Sequence, residues 1–184
     1  MLLTPLRPTF EAALRDARAE DPRFRLAAAR VLGEAPEDRR SDARAALEAL
    51  LGDALGPVRA ATLDALADLG DPEAVAAAEA HLDDEHADVR QAAVRALAAL
   101  AADPAAALVP LVDDPRPEMR LLALVGLVAH APDVAAERLP AHVADPDPEV
   151  RLAAARGLGE LGAGADLLAD ALLSADPRVA YAAA

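Results

Sequence analysis

Apolar residues in this chain fall at helical spacing, in short stretches that restart at a nearly constant interval. In VRQAAVRALAAL the positions Val89, Ala92, Ala93, Ala96, Leu97 and Leu100 make a stripe of the i, i+3, i+4, i+7 kind. That spacing predicts a helix over roughly residues 88–101, buried along one face. A shorter helix is predicted before it, over roughly residues 73–82. Asp71 caps its start and Pro72 sits in its first turn, where a missing amide costs nothing. The acidic segment Asp83–Asp84–Glu85–His86 is the turn between the two. The same pattern returns in VRAATLDALADLG, MRLLALVGLVAH, VRLAAARGLGELG and FRLAAARVLGE, and in a degenerate copy, VAYAAA, from Val179. Asp103–Pro104 opens another first helix, and Asp114–Pro115, Asp145–Pro146–Asp147–Pro148 and Asp176–Pro177 punctuate the later units. Gly33, Gly70 and Gly162 lie near the ends of second helices, where a left-handed cap is expected. No stretch alternates as a strand would.

One polar pair keeps time with the apolar pattern. An aspartate precedes an arginine by six positions in Asp53–Arg59, Asp84–Arg90, Asp114–Arg120 and Asp145–Arg151. The recurring arginines stand at 25, 59, 90, 120 and 151, with Ala180 in the sixth slot. The steps are 34, 31, 30, 31 and 29 residues. A fixed period of this length is the signature of a solenoid, in which each unit buries its apolar face against its neighbours. The expectation is an all-α solenoid of about six stacked helix pairs in a single domain, residues 1–184. Its repeats run approximately 1–35, 36–70, 71–101, 102–131, 132–162 and 163–184, the last incomplete or capping. The 34-residue step places a small insertion near residues 33–40. The terminal units depart from the pair: Arg25 has Ala19 six residues earlier, with Glu20 as a substitute, and the last unit has Ser174 and Ala180.

The V-R-x-x-A cores, the D-P helix starts and the aspartate–arginine pairing resemble the HEAT-repeat family. The likeness extends over essentially the whole chain. It is greatest to the short bacterial HEAT-like repeats of the bilin (phycobilisome) lyase type, because a period near 31 residues is below the roughly 40–47 of ordinary HEAT repeats. The resemblance implies a right-handed, curved stack whose second helices line a concave surface. It also implies a hydrogen-bonded ladder between neighbouring units, built from Asp53, Arg59, Asp84, Arg90, Asp114, Arg120, Asp145 and Arg151. Physical chemistry supports the ladder separately. An interhelical turn leaves amides and carbonyls unpaired. A carboxylate accepts from the amides, and a planar guanidinium bridges carbonyl and carboxylate oxygens.

Composition narrows the function more than it names it. The chain has no cysteine, hence no disulfide, thiolate metal site or cysteine nucleophile. Ser41 and Ser174 are the only serines, and neither lies in a nucleophile motif. No Walker loop or dinucleotide fingerprint is present; Gly157-Leu-Gly159 and Gly162-Ala-Gly164 read as helix ends. His81 and His86 flank the acidic turn, and His130 and His142 flank another, without a metal-ligand spacing. The expectation is therefore no catalytic residue, no cofactor and no metal. A net charge of −14, with no lysine and no tryptophan, argues against nucleic acid. The longest uncharged apolar run, residues 121–131, is too short to span a bilayer. MLLTPLRPTF carries no secretory signal, so a cytoplasmic protein is expected. Lysine, isoleucine and asparagine are all absent, and their AT-rich codons point to a GC-rich bacterial genome.

The remaining reading is a binding module. Counted from the apolar residue that opens each second helix, positions +2 and +6 should form rows on the inner surface. They supply a candidate partner-binding face of Leu26, Arg30, Gln91, Arg95, Leu121, Val125, Leu152 and Arg156. An apolar stripe edged by arginine suits an amphipathic or linear peptide with acidic residues. The expected function is a non-catalytic protein–protein interaction scaffold or adaptor, with a protein or peptide partner. The alternatives are a bilin-lyase-like enzyme or enzyme subunit, as the resemblance implies, and a repeat segment of a longer protein. The apolar stub Val179-Ala-Tyr-Ala-Ala-Ala184 makes the C-terminal end a candidate homodimer contact.

Overall fold

The computed structural model describes residues 8–164, together with Asp166 and Arg178. The sixth repeat, with Ser174, Ala180 and the C-terminal stub, lies outside the described residues apart from residues 163 and 164 and those isolated positions. Every regular element among the described residues is helical. The chain divides into two compact units, Met1–Ala96 and Leu97–Ala184, and the division falls inside one helix.

The first unit holds α1 (Phe10–Asp16), α2 (Pro22–Gly33), α3 (Arg40–Leu50), α4 (Gly56–Asp68), α5 (Ala74–Ala80) and most of α6 (Ala87–Leu100). Short first helices alternate with longer second helices. Asp21 caps α2 by accepting from the Arg23 amide, whereas Asp71, the expected cap of the next first helix, accepts from the Glu73 amide at 3.0 Å in the turn before α5, which begins without a side-chain cap. Where the step between repeats is longest, a 3-10 turn at Glu37–Arg39 leads into α3. Arg39 leans over the Phe10 ring at 4.3 Å and reaches Glu11 at 3.0 Å, tying that turn to α1. The second helices α2 and α4 pack together, and Leu32, Leu47, Leu63 and Leu66 are fully buried around them.

The second unit holds α7 (Pro104–Leu108), α8 (Pro117–His130), α9 (Pro132–Arg138) and α10 (Pro148–Leu161). Both first helices are short and tighten into 3-10 turns, Val109–Leu111 and Leu139–His142. Pro110 and Pro140 explain this, since proline has no amide to donate and disfavours α geometry in the residue before it. Leu108, Leu124, Leu127, Leu139 and Leu158 fill the core with Met119.

Two of the three expected cap glycines adopt the left-handed conformation, Gly70 at φ 67° and Gly162 at φ 61°. Gly33 does not. It is the buried last residue of α2, and a Cβ there would lie 2.8 Å from the Ala65 Cα of α4. Its role is close helix packing rather than chain reversal.

Candidate partner-binding surface

Each interhelical turn is organised by its aspartate. Asp53, Asp84, Asp114 and Asp145 each accept from the amide two residues on, at 2.8 to 3.0 Å. The arginine six residues later donates through Nη1 to the backbone carbonyl of that aspartate: 2.7 Å from Arg59, 2.9 Å from Arg90 and Arg120, and 2.8 Å from Arg151. The ion pair, however, goes to the next aspartate along. Arg25 grips Asp53, Arg59 grips Asp84 and Arg120 grips Asp145, each through Nε and Nη2 in a two-pronged contact. Arg25 needs no aspartate behind it, because the carbonyls of Ala19 and Glu20 serve. Asp114 is gripped instead by its near neighbour Arg116.

The electrostatics follow this geometry. Hydrogen bonds from Arg25 and Arg59 hold the carboxyls of Asp53 and Asp84 below the usual aspartate range, against the opposing effect of burial. For Asp145 burial is the largest influence and pushes upward. The Arg120 contact and the Asp147 amide together outweigh it, so the net direction is again down. Carboxyls lowered on folding stabilise the native state fully above the unfolded value of about 3.9, and that stabilisation disappears as pH falls through their lower folded values. The denaturant midpoint should therefore carry the full contribution of these groups, unchanged, between pH 7 and 5 and should fall steeply below about pH 4. Urea titrations at stepped pH check this; a fall centred near pH 6 would assign acid sensitivity to other groups.

The candidate binding residues gather in two grooves, one in each unit. In the first unit Leu26, Arg30, Gln91 and Arg95 line a groove of about 520 Å³, floored by Ala60, Ala61 and Ala65. Arg30 is exposed, while Arg95 is paired with Asp64 at 2.8 Å. In the second unit Leu121, Val125, Leu152 and Arg156 line a groove of about 440 Å³ on α8 and α10, with Val128 and Ala129 beside them. Val125 is 53% exposed, as open as Phe24 on α2 at 54%. The +2 row is less open than its spacing suggests. Leu152 is only 6% exposed, and Ala60 8%. The exposed row is +6, with Arg30, Arg95, Val125 and Arg156.

A family model for HEAT repeats matches residues 8–98 and 104–184. The chain belongs to the HEAT-repeat family. Among curated proteins, none matches the sequence. Among solved structures, the HEAT-repeat chain is similar to YibA of Escherichia coli, with TM-score 0.70 and 20% identity over 94% of this chain and 68% of that one. It is similar to a chain of the CpcE–CpcF complex of phycocyanin lyase from Nostoc sp. PCC7120, with TM-score 0.66 and 28% identity over 100% of this chain and 79% of that one. A designed armadillo repeat protein in complex with the peptide (KR)4 matches at TM-score 0.57 and 21% identity, over 93% of this chain and 95% of that one. These likenesses accord with an all-α solenoid and with the bilin-lyase type of repeat.

Several polar residues of this HEAT-repeat chain take positions that sequence spacing did not indicate. Both ring nitrogens of His81 face carbonyl oxygens, Ala77 at 2.7 Å and Leu51 at 3.2 Å, so the ring joins α5 to the end of α3. His86 lies against Arg59 at 3.2 Å, and the buried His142 lies 3.5 Å from Asp145. Among the described residues no three histidine or carboxylate groups gather as a metal ion requires, and no helix is long and apolar enough to cross a membrane. Asp64 stands in the +6 row itself but was left off the candidate face, and Asp68 and Asp88, which also line the first groove, fall outside the +2 and +6 rows.

Proposed function

We propose that this HEAT-repeat protein is a non-catalytic scaffold or adaptor that binds a protein partner on the faces of its second helices. The observation that carries the proposal is the exposed Val125, set between Leu121 and Arg156 in an open groove. With Leu121, Val128 and Ala129 beside it, the half-exposed valine is part of one continuous apolar patch, which suits an apolar anchor from a partner. The HEAT-repeat fold supports the reading, since repeat arrays present extended surfaces suited to binding. Val125→Asp places a charge where a partner would exclude water, and should weaken binding tenfold or more while leaving the helical signal unchanged. Pull-down from lysate with wild type and variant side by side checks it. Proteins retained by wild type alone support the scaffold reading, and identical retention by both removes the site from this face. Leu152 is unsuitable for such a test, because it is buried and a charge there would disturb the core.

A second reading is a bilin-lyase-like enzyme or enzyme subunit. The 28% identity to a phycocyanin lyase chain over the whole sequence favours it. A red shift or fluorescence gain on mixing the protein with free bilin would support this reading, and an unchanged spectrum would remove it.

A further inference from the structure

The groove of the first unit carries a charge opposite to the one its arginines suggest. Its cations are Arg30 and Arg95; its carboxylates are Glu34, Asp64, Asp68 and Asp88. Arg95 is already engaged, since Asp64 accepts from its Nε and Nη2 at 2.8 to 3.3 Å. The excess is therefore negative, and it is shared between the C-terminal ends of α2 and α4, where Arg30 also lies, and the first turn of α6, where Asp88 lies. Glu34 is the C-cap of α2, and Asp68 is the last residue of α4. These two helices pack together, with Gly33 against Ala65 just inside both ends. The carboxyl end of a helix carries partial negative charge, so acids are disfavoured there and cations favoured. Asp68 thus opposes its own helix, at an exposed position where the packing of the fold does not require it. The floor between the edges is alanine, Ala60, Ala61 and Ala65, low enough for an aliphatic stem to lie along it.

The geometry points to a linear basic protein segment as the occupant of this groove. Its lysine or arginine stems lie over the alanine floor, and its cationic heads meet Asp68 at the helix ends and Asp88 across the groove. This inference rests on the second-helix faces being binding surfaces, and adds which groove is used and by what chemistry. An acidic peptide, the partner that the arginine row alone suggested, meets net repulsion here.

The test is fluorescence anisotropy with two labelled octapeptides, one alternating lysine and arginine and one alternating glutamate and aspartate, at near-physiological salt. Asp68→Arg places a cation at the negative end of α4, which favours the helix, so loss of binding would not come from unfolding. Glu137→Arg on α9, a residue that does not line the groove, makes the same change in net charge and controls for non-specific attraction. The expected result is that wild type and Glu137→Arg bind the basic peptide alike, that Asp68→Arg binds at least tenfold more weakly, and that the acidic peptide does not bind. Equal weakening by the two variants would reduce the effect to net charge and overturn the proposal, as would preference for the acidic peptide or no binding of the basic one. Val125→Asp should still bind the basic peptide. If wild type captures partners that Val125→Asp loses but ignores the basic peptide, this inference fails and the scaffold reading stands; the reverse pattern fails the Val125 face alone.

Discussion

Asp145→Ala should cost about 3–5 kcal/mol of stability, the range for removing one partner of a buried ion pair. The Asp145 side chain is 5% exposed and that of its partner Arg120 is 13%. The carboxylate accepts from Arg120 at 2.6 and 2.9 Å and from the Asp147 amide at 2.8 Å. Deleting it leaves a guanidinium shielded from water with two of its four hydrogen bonds lost, and releases the turn that starts α10. The attraction of the pair is not the main quantity at stake, since desolvation offsets much of it; the cost comes from the charge left behind. A second variant separates these contributions. Adding Arg120→Leu to Asp145→Ala removes the stranded charge, so the double variant should recover part of the loss. Urea denaturation followed by circular dichroism measures both. A single variant within about 0.5 kcal/mol of wild type would mean that the pair is solvated and contributes as little as a surface bridge.

The same pair shows how far the sequence was legible. Helix existence, order and type followed from the spacing of alanine, leucine and valine, and turn positions followed from aspartate–proline steps, because both are local signals. The partner of each arginine was not local. Sequence offers Asp53 with Arg59, six residues apart, whereas the guanidinium of Arg59 reaches Asp84, 25 residues on. That offset is one period of 31 residues less six, so the information was present in the repeat and hidden by proximity. Gly33 misled for a related reason: a glycine at a helix end reads as a cap, and only the approach of Ala65 reveals a packing role. All eight residues of the proposed face line the two grooves. Their exposure and the charge around them were not legible. Helical phase places Leu152 on the groove, but a neighbouring helix decides that it is 6% exposed while Val125 is 53%. The arginine row promised a cationic edge, yet Asp64 sits where it neutralises Arg95, and Asp68 reverses the sign. Charge at a groove is a sum over elements that one helix pattern cannot supply.

Leu63→Ala should cost about 2–5 kcal/mol, the usual range for a fully buried leucine. Leu63 lies on α4 with no exposed surface, and the helix packed against it, α2, buries only Ala28, Ala29, Leu32 and Gly33. Alanine-rich packing brings helices close but buries little apolar area in each contact, so the few leucines carry a large share of the stabilisation. The loss should fall toward the upper part of the range if the neighbouring backbone is held apart by Leu32, Leu47 and Leu66 and leaves a cavity, and toward the lower part if the helices collapse onto the site. Leu63→Met keeps the volume and should cost less than about 1.5 kcal/mol. The two variants together report on packing rather than on hydrophobicity alone, because their apolar areas differ far less between methionine and leucine than between leucine and alanine. A difference of under about 1 kcal/mol between their unfolding free energies in urea denaturation would mean that α2 and α4 repack freely. In that case the close register of Gly33 on Ala65, and with it the shape of the groove above, would not be fixed by this core.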